Sequence, residues 1–110
     1  MFQGTLLQQR VDIPEVVDVK RFEYKVPGGK LLRVKIEVKD EKIRFLQLTG
    51  DFFMQPETDL EELEAMLVGL PAETIGVEKA IIGFFSTKKT VIAGASPADF
   101  AYVVNQAIKV

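Results

Sequence analysis

Gly28-Gly29-Lys30 and Gly50-Asp51-Phe52-Phe53 are the two stretches whose residue types and spacing could do more than fold. Adjacent glycines let a backbone approach a ligand or partner closely, and Lys30 beside them could meet a phosphate or a carboxylate. The same three residues serve equally as a hairpin turn with a solvated lysine. Phe52-Phe53 places two large aromatics where a surface loop should be polar. Neighbours in an extended segment point in opposite directions, so the two rings cannot easily share one small core. Either both are absorbed in strand-to-helix packing, with Asp51 capping a turn, or one of them anchors a partner, as aromatics do at interfaces.

What is missing narrows the chemistry further. The 110 residues include no Cys, no His and no Trp. Thiol nucleophiles, disulfides, thiolate zinc sites and Fe–S ligation are excluded. So are a histidine general base and a Ser-His-Asp triad. The serines are Ser86 and Ser96, and neither lies in a Gly-x-Ser-x-Gly elbow. No dinucleotide fingerprint or P-loop occurs. An enzyme built from this chain alone would have Asp, Glu, Lys, Tyr and Arg to use. A hydrophobic content of 47% suits a globular chain of this length with one modest core. The N-terminus lacks a signal-peptide pattern and no apolar run could span a bilayer, so a cytoplasmic location is the default expectation.

The net charge of −2 is unevenly spread. Residues 20–44 hold nine Lys/Arg against four acids, whereas residues 51–78 hold eight acids and no base. The basic set Lys25, Arg33, Lys35 and Lys39 reads as a solvated sheet face or as a surface that steers an anionic partner. A sequence pI near 5.2 argues against nucleic-acid binding. Lys88 and Lys89 read as solvent-exposed.

Regular elements must hold these residues in place. Residues 22–26 alternate apolar and charged, and residues 31–39 do so throughout, so both are half-buried strands. Asp40-Glu41-Lys42 makes a tight turn into a third strand, Ile43 to Thr49. Its apolar residues break period two, which requires either partial cover on both faces or a bulge near Phe45. Thr58 and Glu61 offer a capping box for a helix that Gly69 and Pro71 end. A second helix is expected over about residues 72–85. Ser86 to Gly94 is a connector in which residues 90–93 could form a short extended piece. Ser96-Pro97 starts the last helix. The expected fold is α+β: a small antiparallel sheet of about three strands with helices on one face. The expected organisation is one domain over residues 1–110: an arm over 1–20, a meander over 22–50 and a helical part over 58–110.

The stretch from Gly28 to Pro71 resembles the C-terminal accessory domain of lipoate–protein ligases. The likeness rests on the Gly28-Gly29-Lys30 turn into an amphipathic strand, the strand ending in Gly50-Asp51-Phe52-Phe53, and the Leu-Glu-Glu-Leu helix closing at Gly69-Leu70. It covers about residues 22–71 well, and the last helix agrees only in type. In that family the accessory domain joins a larger catalytic domain, which makes lipoyl-AMP from lipoate and ATP and passes the lipoyl group to a lysine of an acceptor protein. In some archaea the two parts are separate polypeptides. A chain that begins with Met and is one domain long would be the small subunit of such a two-part ligase, paired with the catalytic subunit as a heterodimer. The resemblance implies no catalytic residue, metal or cofactor held by this chain alone, with lipoate and ATP as substrates of the complex. It implies contact with the catalytic subunit, or support of adenylation, around Gly28, Gly29, Lys30, Gly50, Asp51, Phe52 and Phe53. The competing expectation is a non-enzymatic interaction or scaffold module that shares only the fold.

Overall fold

The structure, a computed structural model, describes residues 19–110. Three strands, β1 (Lys20–Lys25), β2 (Leu31–Lys39) and β3 (Lys42–Gly50), form an antiparallel meander in the order β1-β2-β3. Strand β4 (Phe53–Gln55) and helix α1 (Thr58–Leu67) follow, then α2 (Thr74–Thr87), β5 (Val91–Ala93) and α3 (Pro97–Lys109). The short strands β4 and β5 pair with each other as a separate two-stranded ribbon. The α+β class expected from the sequence therefore holds. Of the expected arm, residues 1–18 lie outside the described residues.

Alternation drives the meander. Leu32, Val34 and Ile36 of β2 are all buried, while Arg33 and Lys35 between them are exposed. The Asp40-Glu41 turn has positive φ at both residues (54° and 66°), the hairpin geometry that matches the twist of the flanking strands. The broken period of β3 is a bulge: Glu37 faces Phe45 but Val38 faces Ile43, so Arg44 is the extra residue. The slip returns Ile43 to the inner face, beside Leu46 and Leu48.

Helix α3 covers that face. Phe100, Val103, Val104 and Ala107 form its buried stripe, and burying one such ring or branched chain stabilises by about 2 kcal/mol. Ser96 caps it as expected: its hydroxyl accepts the Asp99 amide, and the Asp99 carboxylate returns to the Ser96 amide at 2.9 Å. Leu63 and Leu67 of α1 and Val77 and Ile81 of α2 complete the core.

The capping box expected at Thr58 and Glu61 is not formed. Glu57 already has helical backbone angles (φ −64°, ψ −29°) and no side chain caps the helix. The helix starts one residue early, and the carbonyls of Pro56 and Glu57 take the amides of Asp59 and Leu60. A side-chain cap requires an extended residue ahead of the helix, so Thr58 has no role to fill. At the other end Gly69 has φ +97° and the chain turns back onto β3. Gly69 donates to Ile43 O at 2.7 Å and Leu70 O accepts the Ile43 amide at 2.8 Å, closing that part of the β3 edge.

Candidate functional site

The seven residues picked out by sequence come together at one end of the meander. The link between the two stretches is backbone: Asp51 donates to Leu31 O at 3.0 Å, next to Lys30. Gly50 sits so close to this crossing that a Cβ there would lie 2.2 Å from Leu31 O. The glycine turn is held from its other side by a residue that sequence reasoning left in a connector, Gly94. Lys30 donates its amide to Gly94 O at 3.0 Å. A Cβ on Gly29 would stand 2.6 Å from that same oxygen, so only glycine lets the two backbones meet. A Cβ on Gly94 would strike the Lys30 side chain and sit 3.5 Å from Phe52 Cα. Gly94, lying between small residues just before a helix cap, carries a faint local signal and no indication of its distant partner.

Within this cluster the two aromatics divide. Phe52 turns inward, half-buried, its ring edge-on to Phe100 with centroids 5.1 Å apart. Phe53 turns outward and is 54% exposed. On the outer side of the ribbon Phe53 is paired with Ala93, and Val91, next but one along β5, is also exposed. Asp51 and Lys30 are exposed. The Asp51 carboxylate caps no turn among the described residues, and the Lys30 ammonium has no partner among them. Lys25 closes the glycine turn by donating to Gly29 O at 2.8 Å.

Beside Phe53 runs a groove of about 420 Å³ between the end of β3, β4 and the start of α1. Leu48, Met54 and Leu60 are among its apolar walls, and Glu57 and Glu61 stand on its rim. Behind the rim, Glu64 reaches from α1 to the sheet and accepts the Leu48 amide at 2.7 Å. Burial raises the Glu64 carboxyl above its usual range, opposed by the Leu48 bond and reinforced by neighbouring Glu61.

The start of α1 is fixed from the connector. Asp59 is buried and accepts a hydrogen bond from the Thr90 hydroxyl. Lys88, expected to be solvated, instead lies half-buried over the Phe84 ring and is ion-paired with Glu62 and Asp59. The bond to Glu62 leads the effects that raise its pKa. Lys89 is exposed as expected. Among the described residues no group of three or more Asp, Glu, His or Cys could hold a metal ion, and no helix is long and apolar enough to cross a membrane.

Comparison with known proteins bears on what this face serves. The family model for the bacterial lipoate protein ligase C-terminus matches residues 20–103. The chain belongs to that family. Lipoate–protein ligase A subunit 2 of Thermoplasma acidophilum is 36% identical over 70 residues, spanning 64% of this chain and 71% of the relative. Among solved structures, a chain from a bipartite lipoate protein ligase studied with its E2 lipoyl domain, from Thermoplasma acidophilum, superposes with a TM-score of 0.63 and 30% identity. That superposition covers 78% of this chain and 91% of the other. The family match extends through α3 up to Val103, well past the region on which the sequence resemblance was strong.

Proposed function

We propose that this chain is the accessory subunit of a two-part lipoate–protein ligase and works as a heterodimer with the catalytic subunit. The observation that carries the reading is its likeness in sequence to a lipoate–protein ligase A subunit 2, supported by its likeness in structure to a chain solved in the study of a bipartite lipoate protein ligase. The residue inventory is consistent with it, since a chain without Cys or His has little chemistry of its own.

In this reading the cluster of Gly28, Gly29, Lys30, Gly50, Asp51, Phe52 and Phe53 makes the contact. Gly50 lets its backbone close on Leu31 O, Gly29 lets the turn close on Gly94 O, and Gly94 leaves room for the Lys30 side chain, so the segments pack closely into a firm platform. Phe53 stands on the platform as an exposed anchor, and Phe52 ties it to the core. The mechanism is ordering: a rigid face against the catalytic subunit holds its lipoate- and ATP-binding loops so that carboxylate and α-phosphate meet in line. Lipoate and ATP are substrates of the complex, and no step uses a nucleophile from this chain.

The test is to combine the chain with its catalytic subunit and follow lipoate-dependent pyrophosphate release. Release should need both polypeptides. A catalytic subunit that adenylates lipoate equally well alone would overturn the reading.

A further inference from the structure

We infer that the groove between β3 and α1 receives an extended, apolar segment of the catalytic subunit that carries Lys or Arg, and that this segment pairs with the end of β3. The inference rests on the subunit reading above and adds where the partner binds and with what chemistry. Three features of the groove support it.

The first is an open strand edge. Among the described residues β3 forms a ladder with β2 alone, apart from an isolated bridge between Lys42 and Pro71 at its far end. Gly50 lies opposite Leu32 while the next amide, Asp51, donates to Leu31 O. In an antiparallel ladder that pattern marks Leu32–Gly50 as a pair without mutual bonds, so the Gly50 N–H and C=O point away from β2. Two residues back, Leu48 points the same way, and its amide is the one held by Glu64. Farther back the Leu67-to-Pro71 turn closes the edge through Ile43. The edge is thus stopped at one end, held by a carboxylate in the middle, and open at Gly50. An exposed edge of this kind is a template for an added strand. With the Leu48 amide taken, the added strand is short, and side chains must supply the rest of the affinity.

The second feature is what those side chains would meet. Leu48, Met54, Leu60 and Phe53 line the groove together with Gly50; Leu48 and Met54 are nearly covered, so Leu60 and the exposed Phe53 ring offer most of the apolar surface. An alternating apolar segment fits that surface.

The third is charge. Glu57 and Glu61 are exposed on the rim and form no ion pair among the described residues, while Lys88 is committed to Glu62 and Asp59. Residues 51–78 contain no base to offset them. Unpaired carboxylates along an apolar groove select a cationic occupant and repel an anionic one.

The experiment uses the full chain with its catalytic subunit. Amide hydrogen exchange should slow at Gly50, the amide on this stretch left open, when the subunits combine. Binding by E57K/E61K should weaken about tenfold or more, and E57Q/E61Q should weaken less, because it removes attraction without adding repulsion. Wild-type affinity should fall with added salt while the affinity of E57Q/E61Q changes less. Melting curves of each variant alone establish that it folds. Tight binding with unchanged exchange at Gly50 overturns the groove while leaving the subunit reading intact. Protection without loss in either double variant overturns the cationic occupant. Protection of the groove in the chain alone at high concentration assigns it to a second copy and overturns the inference. Absence of binding by the wild-type chain overturns both readings.

Discussion

The rings of Phe52 and Phe100 meet edge to face, planes 87° apart, while Phe53, one residue on, is 54% exposed. The two aromatics therefore have separable roles. Phe52→Ala should destabilise by about 2 kcal/mol, less than the full-burial range because the ring is only half covered. Phe53→Ser should change stability by no more than about 0.5 kcal/mol, as other surface substitutions do, yet reduce pyrophosphate release by the complex. Chemical denaturation of the chain and the two-subunit assay check the pair. A large loss of stability in Phe53→Ser would show that ring to be structural.

Gly28 and Gly29 should respond differently to the same added methyl group. A Cβ at Gly28 meets nothing within 4 Å, so Gly28→Ala suffers only from its φ of +72°, about 1 kcal/mol. Gly29→Ala drives a methyl to 2.6 Å from Gly94 O and must push the turn away from the loop before α3, at about 1–3 kcal/mol. Thermal melts should rank Gly29→Ala below Gly28→Ala. Binding to the catalytic subunit should follow the same order.

Thr90→Val should destabilise by about 1–3 kcal/mol, because it leaves the buried Asp59 carboxylate without its hydroxyl donor. Pairing it with Asp59→Asn in a double-mutant cycle should give strong coupling, as expected for two groups in one network. Additive losses in urea unfolding would place the stabilisation elsewhere.

Glu64 sets a pH dependence whose sign follows from its raised pKa. The native chain holds this proton more readily than the unfolded chain, so folding is favoured as pH falls through the native pKa to the ordinary value and disfavoured as pH rises through it. Glu64→Gln removes the titration and keeps a carbonyl for the Leu48 amide. Wild-type stability relative to Glu64→Gln should therefore increase as pH falls from 7 to below the ordinary carboxyl value of 4.5, checked by melting both proteins across that range. A difference that shrinks over this window would reverse the assignment.

Local rules made much of the fold legible. Strand β2 matches its expected bounds because burial follows the alternation from Leu32 to Ile36; the pattern breaks at the bulge, where Glu37 is buried and Val38 only partly so. The bulge was visible as a broken period, since the extra residue Arg44 is what displaces the apolar set. Ser96, Pro97 and Asp99 announce a helix start because every contact they use lies within four residues. Thr58 misled because its spacing fits a capping box while the backbone before it is already helical. Lys88 misled because its partner Glu62 is 26 positions away. The candidate site divides the same way. Its seven residues were visible as unusual local types, whereas Gly94 and the groove rim at Glu57 and Glu61 depend on pairings that no single stretch encodes.

The hydrogen bond from Lys30 to Gly94 joins points far apart along the polypeptide. A ribosome must extend the chain past β5 and into the first turn of α3 before Gly94 can dock and Phe100 can receive Phe52. Truncated or half-assembled molecules would lack a finished face, so a ligase that answers to that face would ignore them. Recognition would then double as inspection: the large polypeptide would be switched on only by small ones whose manufacture is complete.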